Sequence, residues 1–305
     1  MVFWMNEKKS IISLIDGDNL YHRNFFQFSN FHNGAIYGFI QSLVRILNAY
    51  PTHYLVVCWG GKRADLWRRE LYPDYKAHRD EKEPLPAHFS AQWASLKKLL
   101  KAMGIIQPYC ASFEADDVIA ELSKQLMSSS IVLVFTNDKD MLQLVDKNNN
   151  LLVIRDEKIK GSNTFREMNY EAVIDFMGVE PDKVPQLLAL SGDSSDDIPG
   201  VKGIGPKTAA KLLKEFGFER LLTNRITDKS FINNKKLYSI FEKAIDIRLY
   251  YSLVDLLNPP RTPKLDIKNM PAPEPDKDAI LSILAEYELT NHFDKVKLVV
   301  SKLCN

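Results

Sequence analysis

Asp16, the run Glu114-Ala115-Asp116-Asp117, the pair Asp138 and Asp140, and the group Asp193, Asp196 and Asp197 gather nine carboxylates into four short runs. Two of these runs follow stretches with the composition of buried strands. Ile11–Ile15 leads into Asp16, and Ile131–Phe135 leads through Thr136 and Asn137 into Asp138. Carboxylates at the exits of parallel strands converge on one crevice, because that edge of an open α/β sheet is where sites form. Like charges so close repel strongly and require a counter-charge. Hard divalent cations with oxygen ligands supply one. Acids at i, i+2 and i, i+3 let one short loop offer several oxygens to an ion. Two ions about 3.5–4 Å apart suit in-line attack on a phosphodiester, one lowering the pKa of the attacking water and the other stabilising the leaving oxygen. Any single run has a plainer reading: Asp16 can cap the next helix and Asp193 can serve a turn. Four runs together, two of them at strand ends, favour metal chemistry.

Such acids need a rigid frame. Strand-like runs at 11–15, 54–59 and 131–135 alternate with helical patterns, the signature of a parallel sheet. Ile36, Phe39, Ile40, Leu43, Val44 and Leu47 recur at helical spacing. Trp93, Leu96, Leu99, Leu100 and Met103 do so again before Gly104, and Glu114–Leu126 forms a third helix. From about residue 170 the pattern is mostly helical, with short helices at Tyr170–Met177 and Pro185–Leu190. A Pro-rich stretch from Pro259 to Pro275 reads as an extended linker before a last helix at Ala279–Tyr287. The expected fold is α/β, a central mostly parallel sheet flanked by helices, followed by a mostly α region. The divisions are residues 1–175 for the α/β domain, 176–258 for the helical region and 259–305 for the linker and final helix.

The chain of 305 residues has a formal net charge of +1, which argues neither for nor against nucleic acid. Acids gathered at one site leave a basic excess elsewhere, which suits a polyanion gripped around an acidic centre. No apolar run approaches the length of about 18 residues needed to span a membrane, and the first residues do not read as a signal peptide. Three distant cysteines suggest neither a zinc site nor a disulfide framework, and a reducing cytoplasm is expected. The six histidines show no metal spacing, although His78 lies in a basic segment that can face a substrate.

Gly200, Gly203 and Gly205 bracket a tight turn, and Pro206 stands at a first helical position before Lys207-Thr208-Ala209-Ala210-Lys211. A turn of this kind presents backbone N–H groups and a helix N-terminus to a phosphate, with Lys202, Lys207 and Lys211 adding charge without base specificity. The alternative is an ordinary helix-packing corner. Lys62–Lys82 interleaves Lys62, Arg63, Arg68, Arg69, Lys76, Arg79 and Lys82 with Trp67, Tyr72 and Tyr75, a mixture suited to single-stranded nucleic acid. Asp65, Glu70, Asp74, Asp80 and Glu81 dilute that charge, so a solvated surface is the competing reading.

The acidic blocks resemble the signature of the 5′-nuclease family, which includes the 5′→3′ exonuclease domain of bacterial DNA polymerase I and stand-alone phage and bacterial flap endonucleases. The matching segments are Glu114–Asp117, Asn137–Met141 with Gln143 and Leu144, and Gly192–Gly200. Pro73–Arg79 resembles the Tyr-Lys-x-x-Arg block at the base of the family's helical arch, and Gly200–Lys211 resembles its helix–three-turn–helix element, here about 198–216. The resemblance implies a first metal site from Asp16, Glu114 and Asp116. It implies a second from Asp138, Asp140, Asp193 and Asp196, with Asp117 beside the shared region. It implies two Mg²⁺ or Mn²⁺ ions and a monovalent cation at the helix–three-turn–helix. Lys76 and Arg79, at i, i+3 on an expected helix, would hold the scissile phosphate, Tyr75 would stack on a terminal base, and Arg23 would lie near the active site. Gly200, Lys202, Gly203, Gly205, Lys207, Thr208 and Lys211 would hold duplex DNA. Residues of about 62–100 would form an arch over the single strand.

Two departures accompany the resemblance. The family carries an acid at the end of the strand corresponding to Tyr54–Trp59, where this chain has Gly60-Gly61 and no carboxylate nearer than Asp65. Asp197 stands where the polymerase I domains have asparagine. The implied function is a structure-specific 5′-nuclease, both flap endonuclease and 5′→3′ exonuclease, acting as a monomer on DNA with a free 5′ end in primer removal or repair. The setting would be the cytoplasm of a bacterial cell or a phage-infected host. A catalytically weakened DNA-binding protein is the alternative that the glycines raise. A ribonuclease of the PIN type is a second, disfavoured by the glycine hairpin.

Overall fold

The apolar runs become strands buried on both faces, which is why they lack polar alternation. In this computed structural model, residues 9–81, 85–159, 161–223, 235–270 and 272–303 are described. Five strands, β1 (Ser10–Asp16), β2 (Tyr54–Cys58), β3 (Ser130–Phe135), β4 (Leu151–Ile159) and β5 (Ser162–Met168), form one sheet in the order β2-β1-β3-β4-β5. All neighbours pair parallel except β4 and β5. The helices, in chain order, are α1 (Gly17–Gln27), α2 (Gly34–Ala49), α3 (Trp67–Leu71), α4 (Ala87–Ala102), α5 (Ala115–Leu126), α6 (Tyr170–Met177), α7 (Val184–Ser191), α8 (Pro206–Phe216), α9 (Phe218–Thr223), α10 (Lys235–Glu242), α11 (Ala244–Val254), α12 (Lys277–Glu286) and α13 (Phe293–Leu303).

Successive strand residues point to opposite faces, and the sheet accordingly separates two cores. Leu14, Val56, Val132 and Val134 join α5 and the helical region from α7 to α11 on one side. Ile15, Val57, Leu133 and Phe135 join α1, α2, α4, α12 and α13 on the other. Polar ties reinforce the first side, where the Arg68 Nε–H donates to the Leu253 carbonyl (2.7 Å) and Gln143 Nε2 donates to the Val254 carbonyl (3.0 Å). The sheet and the helical region therefore share one interior across the division expected at residue 175. Among the described residues, no helix is long and apolar enough to cross a membrane.

Three features differ from the sequence reading. The β4–β5 hairpin was not anticipated, because β4 turns polar after Ile154 and β5 (Ser-Asn-Thr-Phe-Arg-Glu-Met) is an edge strand without apolar alternation. A further helix, α13, follows the one expected to be last and buries Val296 and Val299. Parts of the segment expected to form an arch, residues of about 62–100, pack onto the body. Trp67, Arg68, Tyr75 and Lys76 are buried, and α4 buries Leu96, Leu99 and Leu100. Lys82 and Pro84 of that segment, and the first eight residues, lie outside the described residues.

Candidate metal centre

Register aligns the acids. Ile15 pairs with Phe135 and Asp16 pairs with Cys58, so Asp16 stands level with Thr136 at the carboxyl edge of the sheet. Asp16 is also the N-cap of α1: its Oδ1 accepts from the Asn19 N–H (3.0 Å), while Oδ2 accepts from Thr136 Oγ1 (2.7 Å). The capping and functional readings thus coexist, since each carboxylate oxygen has a second lone pair. The loop after β3 is held by its own side chains. The Asp138 N–H donates to Thr136 Oγ1 (3.1 Å) and the Asp140 N–H donates to Asp138 Oδ1 (2.9 Å).

Glu114 and Asp117 form a capping box at the start of α5, which sets Glu114, Asp116 and Asp117 around its first turn. Asp193 is fixed by the Ser195 N–H (2.9 Å) and Ser195 Oγ (2.7 Å) on its Oδ1, in a turn closed by the reciprocal Asp193–Ile198 backbone pair. The segment Tyr75–Arg79 clasps this turn. The Lys76 N–H donates to the Asp196 carbonyl (3.1 Å), Arg79 Nη2 donates to the Ser195 carbonyl (2.8 Å), and Asp197 Oδ2 accepts from the His78 N–H (2.9 Å). Lys76 Nζ then reaches between two acidic runs, pairing with Glu114 Oε1 and with Asp196 Oδ1 (3.3 Å).

The structure brings the expected site residues together unevenly. Asp16, Glu114, Asp116, Asp138, Asp140, Asp193 and Asp196 converge on one region. Asp117 does not offer a free carboxylate, because Arg68 engages both its oxygens (2.6 and 2.7 Å) in a buried fork and Oδ2 also accepts from the Glu114 N–H (3.0 Å). Tyr75 is not open to a base: it is buried, with its hydroxyl 2.7 Å from Glu114 Oε2 and 2.8 Å from Asp196 Oδ2. One hydroxyl proton serves only one of these oxygens. Lys76 is not on a helix with Arg79. It adopts φ 55°, before a short 3₁₀ turn at Ala77–Arg79. Arg23 pairs with Asp156 (2.9 Å), which Arg45 also holds, on the rim beside Asn137. Asp65 is exposed on a 3₁₀ turn and does not fill the gap after β2.

The electrostatics describe a site short of positive charge. Burial, together with Asp138, raises Asp16 to about 6 against the Asn19 and Thr136 hydrogen bonds. Burial and the charge of Asp138 push Asp116 and Asp140 well up. Burial also raises Asp196, although Lys76 opposes it. At Glu114 and Asp193 the direction reverses. Burial would raise Glu114, but Lys76 and Arg68 hold it at about 2, and Asp193 is lowered against its burial by Ser195 and Lys139. Among the described residues, Asp140 Oδ1 is buried without a hydrogen-bond partner. Hard oxygen donors in this number, with one oxygen orphaned, fit divalent cations. Among the described residues, no three of these side chains already close into a coordination sphere. Lys76 on Glu114 and Asp196, and Lys139 on Asp193 (3.0 Å), supply the counter-charge instead.

Sequence reasoning did not assign Asp18 or Thr136 to the site, and read Arg68 as part of a nucleic-acid surface rather than as the partner of Asp117. Asp18 could have been found, since Asp16 and Asp18 repeat the i, i+2 spacing already noted in Asp138 and Asp140. It sits beside the glycines after β2, its Oδ2 accepting from the Gly60 N–H (2.8 Å). Burial and the charge of Asp16 raise it to about 7.

Residues 11–178 match the family model of the 5′-3′ exonuclease N-terminal resolvase-like domain. The chain belongs to the 5′-3′ exonuclease family. Residues 179–278 match the C-terminal SAM fold of the same family. The 5′-3′ exonuclease of Aquifex aeolicus is 34% identical over 296 residues, covering 93% of this chain and 94% of that one. DNA polymerase I of Bacillus subtilis is 34% identical over 250 residues, covering 79% of this chain and 27% of the polymerase, so this family member spans about a quarter of that relative. In fold, it is similar to a bacteriophage T5 flap endonuclease solved with DNA and metal ions (TM-score 0.66, 18% identity, 97% of this chain and 100% of that one). It is also similar to the catalytic core of Rad2 with DNA substrate (TM-score 0.62, 18% identity, 96% and 92%).

Proposed function

We propose that this family member hydrolyses phosphodiesters in DNA with a free 5′ end, as a flap endonuclease and 5′→3′ exonuclease. The observation that carries the reading is the convergence of seven carboxylates at one sheet edge, clasped by the segment that carries Lys76 and Arg79. Asp16, Glu114 and Asp116 would hold one Mg²⁺ or Mn²⁺ ion, and Asp138, Asp140, Asp193 and Asp196 the other. When bound, the ions supply an activated water and neutralise the leaving oxygen. Lys76, buried between Glu114 and Asp196, is placed to exchange these carboxylates for a phosphate. Arg79, half open at the rim, is placed to orient the strand entering the site.

The turn before α8 suits a duplex backbone. Gly203 and Gly205 have open space where a Cβ would stand. Lys202, Lys207 and Lys211 are exposed, while Val201, Ile204 and Ala209 anchor the turn from beneath. Among the described residues, no side chain caps the helix start, so its first N–H groups can face phosphate. A monovalent cation at this turn is part of the same expectation. With Trp67, Arg68, Tyr75 and Lys76 buried, single-strand contacts fall to exposed groups such as Lys62 and Arg79. Primer removal or repair, as a monomer in the cytoplasm, is the setting this chemistry serves. A fluorescent 5′-flap duplex tests the reading. Cleavage near the junction is expected with Mg²⁺ and none with EDTA, and an intact flap in Mg²⁺ at excess protein would contradict it.

A further inference from the structure

Strand β2 delivers no carboxylate to the sheet edge, and the backbone explains why none can stand there. A Cβ on Gly61 would lie 1.7 Å from the Ala111 carbonyl oxygen. One on Gly60 would lie 2.8 Å from the Ala115 backbone nitrogen and 3.1 Å from Glu114 Cα. These are backbone atoms of the loop leading into α5 and of its start, which no rotamer change can move. The same Cβ would also meet Asp18 Oδ2 at 2.9 Å. The space beside Gly60 is therefore already filled, by a carboxylate from the first turn of α1.

Asp18 is held there in a defined way. Its Oδ2 accepts from the Gly60 N–H at 2.8 Å, across 42 residues of sequence. Among the described residues, Oδ1 accepts no hydrogen bond. Asp16, two residues earlier, is pinned by Asn19 and Thr136 at the end of the neighbouring strand. Glu114 flanks the pair from α5, with its own oxygens turned to Lys76 and Tyr75. Asp65, the nearest acid along the chain from β2, is exposed on its 3₁₀ turn.

We infer that Asp18 supplies to the first cation site the carboxylate that β2 lacks, from α1 rather than from the strand, with Gly60 kept side-chain-free to seat it. The inference rests on the two-ion reading above. An aspartate that hydrogen-bonds a backbone N–H through one oxygen keeps the other oriented, and such oriented carboxylates, as direct or water-bridged ligands, commonly set metal affinity by about 10–100-fold.

Titration of Mn²⁺ into the DNA-free protein, followed by calorimetry, tests the inference without reference to cleavage. The parent should bind two ions, and a parent that binds none would defeat the two-ion reading itself. Asp18→Asn keeps an acceptor for the Gly60 N–H and removes only the charge. It should weaken the first-site step by at least about tenfold, while Asp65→Asn leaves both steps as in the parent. Asp18→Ser, shorter but still polar, should behave like Asp18→Asn. Thermal unfolding in EDTA should show both Asp18 variants folded, with a smaller Mn²⁺-induced rise in Tm than the parent. If the parent binds two ions and either folded Asp18 variant binds both with parental affinity, the inference is overturned. It is equally overturned if Asp65→Asn shows the loss instead.

Discussion

At the scale of the residue, the site is organised by which carboxylates have a cation close by and which do not. Lys76 bridges Glu114 and Asp196 from a buried position with little room to relax. Lys76→Ala should lower single-turnover cleavage by about 10²–10³-fold, the scale of a preorganised electrostatic group. Duplex affinity should stay within about threefold, since one buried cation adds little to the counter-ion term. Equal losses in cleavage and binding would show that Lys76 serves only to bind. Arg68 has a structural task, tying Asp117 to the Leu253 carbonyl in the interior. Arg68→Ala leaves a buried carboxylate unpaired and should cost about 3–5 kcal/mol in denaturant unfolding. The acidic residues were legible from their types and spacing. Whether Asp117 binds an ion or an arginine was not, because its partner lies 49 residues away and nothing local distinguishes it from Asp116.

At the scale of the element, apolar patterning predicted the buried strands and the amphipathic helices well, because burial leaves a periodic trace. The β4–β5 hairpin left little trace, since its edge strand is polar and half exposed. Part of the segment expected to form an arch was ambiguous for a related reason. Its basic and aromatic residues resemble a nucleic-acid surface, yet Arg68, Lys76, Trp67 and Tyr75 spend that chemistry on internal contacts. The glycine turn separates two uses of glycine. Gly200 (φ 62°) would place a Cβ 2.2 Å from the Gly192 nitrogen, whereas Gly203 (φ 81°) has open space. Gly203→Ala should therefore cost only the left-handed strain of about 1–2 kcal/mol. Gly200→Ala should add overpacking of about 1–3 kcal/mol, and equal costs in denaturant unfolding would refute this distinction. On the exposed face, each of Lys202→Ala, Lys207→Ala and Lys211→Ala should reduce the salt dependence of duplex binding by about one unit of slope. Unchanged slopes would move the duplex contact elsewhere.

At the scale of the whole molecule, the crowded acids make the metal-free protein pH-sensitive. Asp16 and Asp18, raised to about 6 and about 7, bind protons in the folded state that the unfolded chain has already released. Their protonated forms therefore favour folding at low pH, and that contribution is lost as pH rises from about 4 through 7. Glu114, held at about 2, acts in the opposite sense, its contribution being lost only as pH falls below its ordinary range. In EDTA, Tm should fall between pH 5 and pH 8, and saturating Mn²⁺ should abolish the fall. A flat or rising Tm in EDTA would contradict these electrostatics. The central claim, that one sheet edge gathers the acids into a two-cation centre, has a direct test in anomalous scattering from crystals soaked in Mn²⁺. Two peaks about 3.5–4 Å apart are predicted, one against Asp16, Asp18, Glu114 and Asp116 and the other against Asp138, Asp140, Asp193 and Asp196. A fully soaked crystal with no peak among these residues, or with peaks only elsewhere on the surface, would contradict it.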